Sequence, residues 1–235
     1  MGKRIKLLIF FMMVFLGGVT FLFTQHGIQL LADEETQGKG ETVKLPKPKL
    51  KSPTSVEGAL LERRSVREYR KDSLAIEEIS QLLWAAQGIT AKWGGRTAPS
   101  AGALYPLEIY LVTGEVKGLK PGLYHYDPGK HVISLKKDED LRKKLTQASL
   151  YQDEILKAPV TLIITAVYER TQKKYGKRGI RYVHMEVGSV GENIYLQAQS
   201  LNLGTVFIGA FEDDEVKKVL GIKEEPLGIM PVGKS

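Results

Sequence analysis

Three arginines and a serine fall within five residues, Arg63-Arg64-Ser65-Val66-Arg67, between two segments that read as helices. A guanidinium is a planar fork of N–H donors and suits a phosphate better than an ammonium point charge does. Arg63, Ser65 and Arg67 alternate, so a turn can point all three at one anion. The competing reading is a solvated basic helix end, because cations also favour a helix C-terminus and basic clusters are common on surfaces. These five residues alone do not separate the two. A second basic run, Gln172-Lys-Lys-Tyr-Gly-Lys-Arg178, sets Lys174 beside Tyr175. A partly desolvated lysine can serve as a base near neutral pH, with a solvated loop as the alternative.

Gly228-Ile-Met-Pro-Val-Gly-Lys-Ser235 matches the phosphate-loop pattern G-x-x-x-x-G-K-[ST]. That pattern works by opening a helix at its lysine so that backbone N–H groups face the phosphates. No helical pattern is read after Lys234, and Pro231 removes one of the donors. A nucleoside triphosphatase is therefore rejected, which leaves Lys234 as a single cation for a phosphate. With no cysteine in the chain, thiolate metal sites, disulfides and cysteine nucleophiles are excluded. His26, His125, His131 and His184 are scattered without metal-ligand spacing, no serine has a nucleophile-elbow context, and no Gly-rich dinucleotide fingerprint is present. A bound cofactor that carries its own chemistry is the better hypothesis.

The elements that must position these groups can be read in outline. Lys3, Arg4 and Lys6 precede an uncharged apolar run from Leu7 to Phe23. Residues 1–32 therefore read as a signal anchor or signal peptide, the retained anchor being favoured over cleavage near Leu30-Leu31-Ala32. This predicts a protein anchored in the membrane or exported through that segment, its folded part outside the cytoplasm. Residues 33–53, rich in lysine and proline, read as a polar extended linker. Residues 54–235 form the folded domain, opened by the capping-box pattern Thr54-Ser-Val-Glu57. The formal charge of +7 divides unevenly: residues 1–51 hold 8 Lys/Arg and 4 Asp/Glu, so the rest hold 26 against 23, a net of +3. The domain thus lacks a strong nucleic-acid footprint, and no nucleic-acid partner is expected.

Within the domain a helix is expected at about 76–87, an irregular stretch rich in small residues at 90–106, and strands at 108–113, 123–126 and 132–135. Helices follow at 139–149 and about 152–157, then a buried strand at 160–167. The longest helix spans about 181–201, with Val183, Val187, Val190, Ile194, Ala198 and Leu201 on one stripe and the small residues Gly188, Ser189 and Gly191 beside it. A strand at 205–208, a helix at 213–220 and an apolar segment at 227–232 complete the chain. Helices and strands mix without regular alternation, which argues for α+β.

Five motifs in this order resemble the nitroreductase superfamily: Arg63-Arg-Ser-Val-Arg-Glu-Tyr69, Leu83-Trp-Ala-Ala-Gln-Gly-Ile89, Ala98-Pro-Ser-Ala-Gly-Ala-Leu-Tyr-Pro106, Arg181-Tyr-Val-His-Met-Glu-Val-Gly-Ser-Val-Gly-Glu-Asn-Ile-Tyr-Leu196 and Pro231-Val-Gly-Lys234. Among its branches the chain is most similar to the SagB-type dehydrogenases, which include azoline dehydrogenases of peptide modification. The resemblance covers about 54–235. It implies an α+β fold with a central, mostly antiparallel sheet flanked by helices, and a homodimer with a long helix at its core and FMN at the subunit interface. Arg63, Ser65 and Arg67, with Arg64 as a weaker member, match the family's phosphate and ribityl contacts, and Lys234 a second phosphate cation. Pro99, Ser100 and Ala101 match the loop laid on the flavin from the partner subunit. Gln152 matches a polar side chain at the ring's edge, and Gly209 and Ala210 the segment over its other side. Lys174 and Tyr175 match the pair that helps remove a substrate proton in the azoline-oxidising branch. Two departures stand out: Gly209 replaces a glutamate of classical nitroreductases, and many members continue past Lys234 to a further basic contact.

The resemblance implies an FMN-dependent oxidoreductase with hydride transfer at flavin N5 in a ping-pong cycle, reducing nitro- or quinone-type acceptors with NAD(P)H or another hydride donor. The alternatives are a SagB-type dehydrogenase of thiazolines or oxazolines and, in a different class, a non-catalytic membrane-tethered flavin-binding module.

Overall fold

The computed structural model describes residues 41–235. A seven-stranded antiparallel sheet runs through it in the order β1-β4-β3-β2-β5-β7-β6. Its strands are β1 (Thr42–Lys44), β2 (Leu107–Thr113), β3 (Gly122–Asp127), β4 (Val132–Lys137), β5 (Val160–Ala166), β6 (Leu203–Thr205) and β7 (Glu225–Lys234). The period-two alternation of a strand gives the sheet two apolar faces. Leu107, Ile109 and Leu111 of β2 join one core with Leu162, Ile164, Met230 and Val232; Tyr110 and Val112 join the other with Ile163 and Ile229.

The first face is covered by α2 (Ile76–Gln87) and α6 (Arg178–Ser200), the second by α3 (Arg142–Ala148), α4 (Glu154–Lys157) and α7 (Asp213–Leu220). Along α6 the expected stripe is buried from Val183 through Ala198. The short α1 (Val56–Glu62) starts one residue later than the capping-box pattern placed it: Ser55 is the cap, its Oγ accepting from the Gly58 N–H at 3.0 Å. The expected α+β architecture with an antiparallel sheet and a long helix is what the chain adopts.

Four expectations are corrected. From Glu41 onward the expected linker is tied onto the domain: β1 pairs with β4, Leu45 is buried, and Gln81 bonds both the N–H and the C=O of Lys49 at 2.8 and 3.0 Å. The basic run, for which a solvated loop is one of two readings, is mostly helix, α5 (Tyr168–Tyr175) leading through Gly176 into α6, because Thr171 packs in the interior beside the α6 helix. The strand expected at 205–208 is displaced: pairing stops at Thr205, and Ile208 makes only an isolated bridge to Ile229. The membrane-anchored or exported location is not supported either, since no helix among the described residues is long and apolar enough to cross a membrane. The hydrophobic segment within 1–32 on which it rested lies outside the described residues. The phosphate-loop pattern, already rejected, is built into strand β7.

Candidate cofactor site

The arginine turn leaves α1 at Arg63, the C-cap residue, and is pinned to the far edge of the sheet. Ser65 bridges Thr205, and the Val66 N–H donates to the Thr205 carbonyl at 2.9 Å. Tyr69 extends the attachment, its hydroxyl reaching the carbonyls of Val66 and Pro231 at 2.9 and 3.1 Å, and its ring lies where a Cβ on Gly233 would fall. Burial pushes the Tyr69 phenol well above its ordinary range, so it stays a neutral donor at any working pH. Glycine at 233 is thus needed for close approach.

The cations of this edge differ in availability. Arg63 lies over the Tyr195 ring at 4.9 Å and has no carboxylate partner among the described residues. Arg64 is turned back onto the carbonyls of Leu61 and Arg63, at 3.0 and 2.8 Å, and serves as a helix cap. Arg67 is exposed and loosely paired with Glu154 at 3.6 Å. Lys234 pairs with Glu78, whose other oxygen accepts from the Ala75 N–H at 2.8 Å, so it must exchange a partner before meeting an anion. Ser65 Oγ is exposed, 3.1 Å from Tyr195 Oη.

Two further groups of sequence-predicted residues are brought together. The Gln152 amide donates to the carbonyls of Ser149 and Ala210 at 2.9 and 2.7 Å, which joins Gln152 to the exposed Gly209–Ala210 segment. A Cβ built on Gly209 would meet nothing within 4 Å. On the other side, Pro99 and Ser100 lead into a single 3-10 turn, Ala101–Ala103, with Gly102 at φ +65°. A Cβ on Gly102 would fall 2.8 Å from Tyr175 Oη and 3.0 Å from Lys174 Nζ. The Lys174-Tyr175 pair therefore sits on the small-residue turn of its own chain. Gly188 of the small-residue patch is open, whereas Gly191 is occupied by the Phe207 ring of its own chain.

Three contributors carried no assignable role in the sequence. Tyr195 lies one residue past a core position of α6, and only the folded edge shows that it contacts both Arg63 and Ser65. Glu154 reaches Arg67 from a distant helix. Glu186 is buried on α6, one carboxylate oxygen without a partner among the described residues. Burial pushes it up to about 7, while Ser100, Arg96 and Gln87 pull in the opposite direction. A single glutamate within a helix gives no sequence signal of this kind.

These groups suit an anionic tail with a flat ring: a guanidinium with no carboxylate partner among the described residues, a hydroxyl beside it, and open space over a glycine–alanine segment. The comparisons bear on which group this is. Residues 60–234 match the model of the Nitroreductase family. The chain is 49% identical over 195 residues to "Putative nitroreductase MJ1384" of Methanocaldococcus jannaschii, covering 83% of this chain and 98% of that one. It is 28% identical over 166 residues to the microcin B17-processing protein McbC of Escherichia coli, covering 66% of this chain and 59% of McbC. A crystal structure from Ralstonia eutropha JMP134 that carries the same description as MJ1384 matches with a TM-score of 0.73 and 31% identity, over 83% of this chain and 89% of that one. Fold and relatives together define an oxidoreductase of the flavin-using class. The chain belongs to the nitroreductase family.

Proposed function

We propose that the chain is an FMN-dependent reductase that takes a hydride from NAD(P)H and delivers it to a small nitro- or quinone-type acceptor in a ping-pong cycle, working as a homodimer. The observation that carries this reading is the arginine turn, where Arg63 has no carboxylate partner among the described residues and lies beside the exposed Ser65 hydroxyl on the sheet edge. Bound FMN supplies a ring that accepts and releases a hydride at N5. The residues of the chain do the rest. Arg63, Arg67 and Ser65 bind the phosphate, with Arg64 behind them and Lys234 joining once it leaves Glu78. Gln152 holds the edge of the ring and keeps the Gly209–Ala210 backbone in place beneath it. Pro99, Ser100 and Ala101 of the partner subunit close the other face and limit the access of water. With no glutamate at Gly209, the ring face on the side of that segment stays open to alternating planar substrates.

One observation favours a second reading, oxidation of an azoline ring in a modified peptide. Lys174 and Tyr175 converge on Gly102, so an amine and a phenol sit together at the turn expected to touch the ring. There Lys174 would take the substrate's ring proton while Tyr175 orients it. The similarity to McbC, a microcin-processing protein, supports the same reading.

The test is the absorbance spectrum of the full chain titrated with FMN, followed by NADH and NADPH oxidation with a quinone or nitroarene present. Flavin should bind stoichiometrically and turn over with the nicotinamide. The Arg63→Glu/Arg67→Glu variant should bind FMN at least about 100-fold more weakly, since charge-assisted phosphate contacts are replaced by repulsion. A wild-type chain that remains colourless in excess FMN sinks the reading. Flavin binding without nicotinamide oxidation, combined with oxidation of an azoline peptide, favours the second.

A further inference from the structure

Tyr195 offers more than a ring for Arg63. Its hydroxyl lies between two groups, the Phe207 N–H at 2.7 Å and the Ser65 Oγ at 3.1 Å. The backbone N–H can only donate, so it occupies the phenol oxygen as an acceptor. The phenol's own proton must then go elsewhere, and among the described residues Ser65 Oγ is the only hydrogen-bond acceptor recorded for it. The serine oxygen therefore accepts, and its own proton is left to point away from the protein. The reverse arrangement, with Ser65 donating inward, would leave the phenol proton without a protein acceptor among the described residues.

We propose that Tyr195 is a positioning residue that sets the direction of this hydrogen-bond chain, from Phe207 N–H through Tyr195 to Ser65, so that the Ser65 hydroxyl is presented as a donor to the phosphate of the bound cofactor. The proposal rests on the reading of this edge as an FMN site. Both ends of the chain hang on one segment: Ser65 and Val66 are attached to Thr205, and Tyr195 to Phe207 two residues on. The Phe207 ring is itself fixed between Gly191 and Gly228, each of which it approaches too closely to permit a Cβ. The donor end is therefore rigid, and a chain of aligned hydrogen bonds strengthens its last member. Arg63 over the face of Tyr195 adds a fixed cation beside the same donor. A phosphate oxygen has only acceptor capacity at neutral pH and gains from an obligatory donor. A ribityl hydroxyl can donate or accept and gains little. Tyr195 thus favours the phosphorylated flavin over riboflavin without touching either.

The experiment measures dissociation constants of FMN and of riboflavin for the full chain as wild type, Tyr195→Phe, Ser65→Ala and the double variant. Phenylalanine keeps the ring under Arg63 and removes only the hydroxyl. Tyr195→Phe should weaken FMN about 5- to 10-fold and riboflavin less than about twofold, the scale of one ordinary hydrogen bond. Ser65→Ala should show the same split, and the double variant should lose no more than about twofold beyond Ser65→Ala, since the two act as one unit. Equal losses on both flavins would mean that Tyr195 merely packs, and would overturn the proposal. So would unchanged FMN binding in Tyr195→Phe, or additive losses in the double variant. If Tyr195→Phe fails to fold, Ser65→Ala alone decides: weakening of FMN without weakening of riboflavin supports an outward donor, and no split overturns it. A wild-type chain that binds neither flavin removes the site reading and this proposal together. Wild-type binding without the split removes only the proposal.

Discussion

Glu186 shows how a single buried residue can make stability depend on pH. It is 4% exposed, and burial raises it from 4.5 to about 7 against the opposing pull of Ser100, Arg96 and Gln87. Its folded-state pKa lies above that of the unfolded chain. Between about 4.5 and 7 the folded protein therefore holds a proton that the unfolded chain has lost. Stability due to this group is complete below that window and falls as pH rises through it. Glu186→Gln keeps the shape and the neutral form at every pH. Measured without flavin, its melting temperature should match wild type near pH 4, below the window, and exceed it at pH 8, by about 2–4 °C for each kcal/mol recovered in a chain of this size. Equal melting temperatures at both pH values would show that the carboxyl is not protonated in the fold. Ser100, whose side chain pulls Glu186 downward, leads into the turn that carries Gly102.

At the scale of elements, the segment from β1 into the start of α1 behaves as part of the domain. Pro46 O accepts from Ser80 Oγ at 2.6 Å, His131 Nε2 lies 3.0 Å from the same carbonyl, and His131 Nδ1 lies 2.9 Å from Tyr126 Oη. Burial lowers His131, which keeps the ring neutral and able to take part in this junction near neutral pH. Leu45 is buried at 4% exposure in the core under α2 and α6. Leu45→Ala should cost about 2–4 kcal/mol in urea unfolding, the usual range for a leucine deleted from a core. A loss below about 0.5 kcal/mol, the size of a surface substitution, would show that the segment contributes nothing to the fold. In sequence it was read as linker because lysine and proline dominate it. A three-residue strand carries too little periodicity to be recognised, and its pairing partner lies some 90 residues away. The loop alternative for the basic run at 172–178 fails for a related reason: its helix depends on packing beside α6, which no local pattern reports.

Across the whole molecule, the candidate site residues fall into separate groups on one chain. The arginine turn lies on the β6–β7 edge, and the Pro99–Ala103 turn lies beside α5. In the proposed homodimer the second group of one subunit completes the first group of the other. Mixing subunits tests this. An Arg63→Glu/Arg67→Glu chain and a chain with Ser100 and Ala101 replaced by bulky residues should each bind FMN poorly alone. Co-refolded, they should recover one intact site per mixed dimer, seen as flavin binding at half the wild-type stoichiometry. No recovery in a verified mixed dimer would place both groups at the same site within one subunit. Exposed apolar side chains on α1 and α6, among them Leu60, Leu61 and Met185, fit burial in such an assembly.

The fold class, the long helix, the buried strands and the arginine turn were all legible in the sequence, because each rests on local periodicity or on a cluster of neighbouring residues. The rejection of the phosphate loop was legible too, since a proline in the loop contradicts the mechanism of the motif. The partners of those residues were not. That Tyr195 orients Ser65, that Glu78 holds Lys234, that Lys174 and Tyr175 meet Gly102, and that Ser100 pulls on the buried Glu186 are contacts across long sequence separations. Such contacts exist only once the sheet has closed and the helices have packed on it, so tertiary structure alone decided which cations have no carboxylate partner among the described residues, which hydroxyl lies beside Ser65 and which carboxyl is pushed up by burial.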